Sequence, residues 1–219
     1  MHVTKKYLKY IIPIASIVVI LIISIILFFS IPRLSYTYSD EYEGYLVKHA
    51  YANAKEYTIK EEHKGLPVVG IDERAFFGHS RLKEISLPST IRIINRLAFS
   101  ECDKLESINL ENVDVIYRNA FAYCTSLNNL TIGAKSIGAS AFYKCEALND
   151  LELLDGAYEL GSMAFSHTAI KDISIPRSMM YVESDCFYGC EKLTNINVYG
   201  SRLKYNEYLR TLDIVTYIG

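Results

Sequence analysis

A catalytic signature, a surplus of basic charge and paired cysteines are all missing from this 219-residue sequence. No G-x-S-x-G, Walker loop, G-x-G-x-x-G or H-E-x-x-H run occurs, so no hydrolase elbow, phosphate cradle or zinc-protease helix is recognisable. His2, His49, His63, His79 and His167 are scattered and read as surface or turn residues. The five cysteines are odd in number, which argues against a full disulfide framework, and none forms the C-x2-C pair of a zinc site. Basic and acidic residues number 23 and 25, with no basic patch, so nucleic acid is not an expected partner. Neither an enzyme nor a cofactor is expected; an active site built from unusual residues is a remote alternative.

What is present is a period. Phe76, Phe99, Phe121, Phe142, Phe165 and Phe187 stand 23, 22, 21, 23 and 22 residues apart. Five of them follow Ala and the last follows Cys186. Five residues before each Phe stand Ile71, Ile94, Ile116, Ile137, Leu160 and Val182. After each Phe come apolar residues at six, nine and eleven, as in Leu82, Ile85 and Leu87, which reads L-x-x-I-x-L. A coiled coil would repeat every seven residues and a propeller blade about every forty. A period in the low twenties is that of a leucine-rich-repeat solenoid, mainly β or α/β in class. About six coils of 21–23 residues are expected to stack into one parallel sheet on the x-I-x-L columns. At about 4.8 Å per strand it would be about 25–30 Å long. The Ala-Phe step supplies one small residue for close approach and one ring to fill each coil. The fifth coil is one residue short after Phe165, so Ile170, Ile173 and Ile175 come early and the stack is expected to deviate there.

These columns resemble the BspA-like leucine-rich repeat, whose unit runs I-G-x-x-A-F-x-x-C-x-x-L-x-x-I-x-L-P. The clearest copies are IINRLAFSECDKLESINL (Ile93–Leu110) and SIGASAFYKCEALNDLEL (Ser136–Leu153). IDERAFFGHSRLKEISLP (Ile71–Pro88) matches with His79 in the Cys place, and the fifth copy has Thr168 there. The segment before them, from Tyr42 to Ile71, is similar to the opening segment of such proteins. The resemblance implies a cell-surface protein that takes part in adhesion or in contact between cells.

Residues 11–31 contain no charge and are long enough to cross a hydrocarbon core as a helix. The run exceeds a signal-peptide core and no A-x-A-like site follows, so an uncleaved signal-anchor is preferred to a cleaved signal. Lys5, Lys6 and Lys9 precede it; Arg33 and then Asp40, Glu41 and Glu43 follow, and the basic excess before the run puts the N-terminus inside and the repeats outside. The expected organisation is a cytoplasmic tail at 1–10, the membrane helix at 11–31 and a tether at 32–41. An N-terminal capping segment at 42–67, repeats at 68–201 and a C-terminal cap at 202–219 complete it.

Cys102, Cys124, Cys145 and Cys190 share one column and Cys186 fills an Ala place; a buried stack of small thiols is preferred to disulfides. The outward strand positions are the candidate binding strip: Glu84, Ser86, Ser107, Asn109, Asn129, Thr131, Asp150, Glu152, Asp172, Ser174, Asn195 and Asn197. The strip is polar and mildly acidic, which suits either plain solubility or a polar or basic partner. Tyr117, Tyr123, Tyr143, Tyr158, Tyr181 and Tyr188, in the turns around Phe, form a second candidate surface. The expected partner is a protein or cell-surface polymer, met by a single-pass membrane protein. The alternative is an envelope-organising role without a specific ligand.

Overall fold

A computed structural model describes residues 17–24, 31–200, 203 and 206–218 of the chain. Residues 17–24 are helical, and among the described residues no helix is long and apolar enough to cross a membrane. Residues 1–10, and most of the span expected at 11–31, lie outside the described residues.

The chain winds as a solenoid whose coils carry two strands and one turn each. The first strands are β1 (Arg33–Ser39), β2 (Gly44–Tyr51), β3 (Glu56–Thr58), β4 (Glu62–His63) and β5 (Leu66–Ile71). The repeats add β6 (Glu84–Ser86), β7 (Ile93–Ile94), β8 (Ser107–Ile108), β9 (Val115–Ile116), β10 (Asn129–Ile132) and β11 (Ser136–Ile137). They continue with β12 (Asp150–Leu153), β13 (Glu159–Leu160), β14 (Asp172–Ile175), β15 (Tyr181–Val182), β16 (Asn195–Tyr199) and β17 (Val215–Ile218).

The expected ladder on the x-I-x-L columns is there, but it is one of two and it is broken. It runs as three sheets, β3-β6-β8, β10-β12 and β14-β16-β17. A second sheet, β1-β2-β5-β7-β9-β11-β13-β15, passes unbroken through the residues five before each Phe. Its repeat strands are only two residues long, too short for alternation to show in the sequence. Val47, Ile71, Ile94, Ile116, Ile137, Leu160 and Val182 mark about seven turns along it, one more than the six expected. The extra turn comes from the segment assigned to capping at 42–67, because β2 and β3 pair in parallel with β5 and β6 like any other coil.

The tether expected at 32–41 also needs correction. Most of it is β1, paired antiparallel with β2 from Arg33↔Tyr51 to Ser39↔Gly44. Leu34 and Tyr36 alternate inward and pack against the core, a period that Ser and Tyr disguise in the sequence. At the other end β17 pairs in parallel with β16, and the four-residue helix Glu207–Arg210 closes the stack. Asn206 caps this helix, accepting from Leu209 N at 2.9 Å, and its Nδ2 donates to Val182 O at 3.0 Å. The Tyr208 hydroxyl accepts from Phe187 N at 3.2 Å.

The turns are regular beyond what the columns reveal. The residues two before and two after each Phe all have positive φ: Arg74 and Gly78, Leu97 and Glu101, Asn119 and Tyr123, Ser140 and Lys144, Met163 and His167, Asp185 and Gly189. Only two of these twelve are glycine, although the left-handed region costs other residues roughly 1–2 kcal/mol each. The compensation is a third ladder between coils. Leu97 N, Phe99 N and Glu101 N donate to Arg118, Ala120 and Ala122 oxygens at 3.3, 2.8 and 2.8 Å, and the pattern recurs along the stack. The intervening amides bond within their own coil, as Ala98 N does to Asn95 O at 3.2 Å.

Inside, the phenylalanines form a continuous column. Phe76, Phe99, Phe121, Phe142 and Phe165 are fully buried, with stacked rings 4.9, 5.2, 5.0 and 5.2 Å apart. The step from Phe165 to Phe187 widens to 6.1 Å. Coils pass close enough that a Cβ on Gly138 would lie 2.7 Å from Arg118 N, and one on Gly161 2.6 Å from Ala139 N.

Candidate binding surfaces

The strand strip follows from alternation. In β6 Ile85 is buried while Glu84 and Ser86 are exposed, and β12 and β14 repeat this with Asp150, Glu152, Asp172 and Ser174 outward. Ser107, Asn129 and Asn195 are exposed; Asn109, Thr131 and Asn197 are half-buried. Pairing lines these residues up across coils, as Glu84↔Ser107, Asn129↔Asp150, Thr131↔Glu152, Asp172↔Asn195 and Ser174↔Asn197.

Part of the strip is engaged in holding coils together. Asn109 Oδ1 accepts from Leu87 N at 2.7 Å and its Nδ2 donates to Leu87 O at 2.9 Å. The side chain thus takes both polar groups of a neighbouring residue beyond the short strand β8. Thr131 Oγ1 donates to Glu152 at 3.3 Å, and Asn195 Nδ2 donates to Asp172 Oδ1.

The strip is divided at two seams. Between β8 and β10 a single bridge, Leu110↔Ile132, joins the coils. Between β12 and β14 there is no ladder pairing, and this is the shortened fifth coil, where the sequence predicts a deviation. Beside that seam lies a groove of about 530 Å³ lined by Glu152, Leu153, Leu154, Asp155, Ser174, Pro176, Arg177 and Tyr199. Two expected strip residues, Glu152 and Ser174, stand in its wall. Asp155 and Arg177 escaped the sequence reading because they follow the strands, and Tyr199 because it ends β16 outside the repeated columns; the missing residue after Phe165 was the signal.

The turn edge carries the aromatic surface. Tyr123, Tyr143, His167 and Tyr188 form an edge-to-face row across four coils, with ring centroids 5.5, 5.7 and 5.6 Å apart. Tyr123 and Tyr188 are 43% and 58% exposed, so two of the three tyrosine rings are largely free to meet a partner. Lys144 Nζ lies 5.6 and 5.7 Å from the Tyr123 and Tyr143 centroids. Tyr158 and Tyr181 make a separate pair at 5.4 Å, and the Tyr117 hydroxyl meets that of Tyr42 at 3.3 Å.

All five cysteines are free and buried, in agreement with the preferred sequence reading. The column has a use that reading lacked. Cys102, Cys124, Cys145 and Cys190 donate their thiols to the carbonyls of Phe76, Phe99, Phe121 and Phe165, one coil back, at 3.1, 3.1, 3.3 and 3.0 Å. Burial pushes the Cys102 thiol up to about 12 and the others upward too, so they are poor nucleophiles and metal ligands. Thr168, in the same column, turns to its own coil and donates to Phe165 O at 2.9 Å. His79 is also buried, and its Nε2 meets no hydrogen-bond partner among the described residues. Among the described residues no three His, Cys, Asp or Glu side chains gather to hold a metal ion.

Three solved structures share the fold. A leucine rich cell surface protein from Faecalibacterium prausnitzii is 21% identical with a TM-score of 0.57, over 77% of this chain and 54% of that one. The chain therefore spans about half the length of that relative. The T. pallidum leucine rich repeat protein is 25% identical with a TM-score of 0.55, over 75% of this chain and 68% of that one. The pneumococcal vaccine antigen PcpA is 17% identical with a TM-score of 0.57, over 78% of this chain and 49% of that one. No curated protein matches the chain. The profile of the BspA type leucine rich repeat region matches in six copies, over residues 49–136 and 132–209. With that match over most of its length, and with the Phe column, thiol ladder and stacked strands that the repeat produces, the chain belongs to the BspA-type leucine-rich-repeat proteins.

Proposed function

We propose that this chain is a membrane-anchored, extracytoplasmic repeat protein that binds another protein or a cell-surface polymer. The observation that carries the reading is the separation of columns. The Phe, Leu, Ile and Cys columns that hold the coils are internal, which leaves most of the strip, with Tyr123 and Tyr188, exposed over several coils and free to be shaped by a ligand. The uncharged run at 11–31, with Lys5, Lys6 and Lys9 before it, supports anchoring with the repeats outside. The description of the F. prausnitzii relative as a cell surface protein agrees with this location. Protease treatment of intact cells tests it: a tag after Gly219 is expected to be lost and a tag before Met1 to survive. Survival of the C-terminal tag would overturn the reading.

A second reading, an envelope-organising protein without a ligand, is favoured by one observation. Asn109, Thr131 and Asn195 make bonds between coils and are not left free. It expects that neutral substitution of the other nine strip residues leaves retention on every cell-surface fraction unchanged.

A further inference from the structure

We infer that the Arg33 end of the β1–β2 hairpin is a docking face for anionic lipid headgroups, and that it holds the solenoid against the membrane its own chain enters. The inference rests on the anchoring reading above and adds the face of the solenoid that meets the lipid.

The face follows from strand pairing and one bulge. Arg33↔Tyr51 and Ser35↔His49 alternate with Leu34↔Ala50 along the hairpin. Ala50 is buried and Leu34 packs against the core, so the other two pairs face outward. The register then slips by one residue, which pairs Tyr36 with Val47 and leaves Lys48 with no residue opposite. A bulge of this kind re-aims a side chain, and here Lys48 and His49 are both exposed although they are consecutive. The Arg33 guanidinium carbon lies 4.8 Å from the Tyr51 centroid, and the His49 ring meets Tyr51 edge-on at 4.7 Å. The next coil extends the face. Ala50 N donates to Ala75 O at 2.9 Å, which sets the turn of Arg74 and Phe77 beside Tyr51. There the Arg74 guanidinium lies 4.2 Å from the Phe77 centroid.

Position, composition and charge segregation each select lipid. Pro32 alone separates Arg33 from Ile31, the last residue of the uncharged run. Two residues reach at most about 7 Å, so the face stands at the level where that run ends. Ile31 itself is 59% exposed and is not covered by the solenoid. Cations set on Tyr and Phe rings suit the headgroup layer, where rings lie at the interface and cations meet phosphate. The acids of the adjoining turn are turned to other partners: Glu73 pairs with Arg96, and Asp72 Oδ1 accepts from Glu73 N at 2.7 Å. Arg33, Lys48, Arg74 and Arg96 outnumber these two acids in a chain whose net charge is −2. Asp40, Glu41 and Glu43 lie in the turn at the other end of the hairpin, about 20 Å along the strands. Anionic headgroups therefore attract one end of the hairpin and repel the other, which sets the way it stands on the membrane.

The test uses the full chain in vesicles of phosphatidylcholine, with or without about one third phosphatidylglycerol, all containing a lipid spin-labelled on its headgroup. The sequence has no Trp, so Tyr51→Trp and, separately, Tyr38→Trp place a single fluorophore near either end of the hairpin. Quenching of the Tyr51→Trp emission is expected to be about twofold stronger with phosphatidylglycerol than without it, and to lose this excess at high salt. The Tyr38→Trp emission should be quenched less, and equally in the two lipids. Lys48→Glu combined with Arg74→Glu should abolish the phosphatidylglycerol effect with thermal unfolding unchanged, since both side chains are exposed. Should that variant fail to fold, the salt series on the Tyr51→Trp chain decides instead. Tyr51→Trp quenching that ignores phosphatidylglycerol, that survives charge reversal or salt, or that is matched at Tyr38→Trp would overturn the inference. An alkaline carbonate wash keeps the anchor separate. A chain that washes off the vesicles contradicts anchoring, whereas the phosphatidylglycerol effect measured before the wash reports on the face alone.

Discussion

At the scale of single residues the repeat depends on three unlike devices. The phenylalanine column supplies burial, and Phe121, stacked on both sides, is its centre. Phe121→Ala is expected to cost about 3–5 kcal/mol in urea unfolding, because rings above and below prevent collapse of the cavity. Left-handed turn residues supply direction. Ser140 has φ of 56° and a small side chain, so Ser140→Gly should be neutral or slightly stabilising, while Ser140→Val should cost about 1–2 kcal/mol. Thiols supply stitches to the preceding coil. Since burial raises their pKa values, iodoacetamide at mild alkaline pH is expected to leave all five unmodified in the folded chain and to label all five in urea. His79 replaces the first thiol and brings a pH dependence. Burial lowers its pKa from 6.5, so the unfolded chain binds the extra proton more readily. The stabilisation is complete above pH 6.5, falls as pH drops through that value, and levels off below the folded pKa. His79→Cys should remove this contribution, which urea midpoints at pH 5 and pH 7.5 would reveal.

At the scale of elements, the coil was legible where side chains repeat and hidden where the backbone does. The Phe, Leu and Ile columns gave the solenoid, the strand carrying Ile85 and its equivalents, and the place of the weak coil after Phe165. The ladder through Ile94 and its equivalents uses two residues per coil and leaves no alternation to read. The turn ladder depends on φ at positions as unlike as Leu97, Asn119 and Lys144, so no residue type announces it. The seam between β12 and β14 has a sequence cause, the residue missing after Phe165. That between β8 and β10 has none in length; there Asn109 gives its side chain to Leu87 and strand pairing stops at Ile108. Asn109→Ala should therefore cost about 1–3 kcal/mol, because the Leu87 amide and carbonyl lose both partners, whereas the exposed Asn129→Ala should change stability by less than about 0.5 kcal/mol. Of the candidate strip, nine residues are exposed, while Asn109, which lies past the end of β8, Thr131 and Asn197 are half-buried. The groove beside the strip was not foreseen, since its wall joins strand and turn residues of different coils that the alignment keeps apart.

At the scale of the whole molecule the solenoid is a stack in which each coil bonds mainly to its neighbours. Loss of one coil should then weaken the stack without abolishing it. A chain lacking residues 122–142, one Phe-to-Phe interval of 21 residues, is expected to fold with the same circular dichroism per residue and a lower Tm. Failure to fold would mean that coils are not interchangeable units. Both ends are covered: Ala50 N donates to Ala75 O at 2.9 Å, and the Tyr208 hydroxyl meets Phe187 N at the other end. The turn ladder has a further consequence. Its bonds all donate in one sense, from each coil to the next, so the peptide dipoles along that edge are aligned. The edge is polarised like a rod, with its electropositive pole beside Phe187 and its electronegative pole at the first coil, the reverse of an α-helix read from N- to C-terminus. Cations approaching along this edge are drawn towards the end that holds Glu101 and Asp103, and anions towards the end that Tyr208 closes.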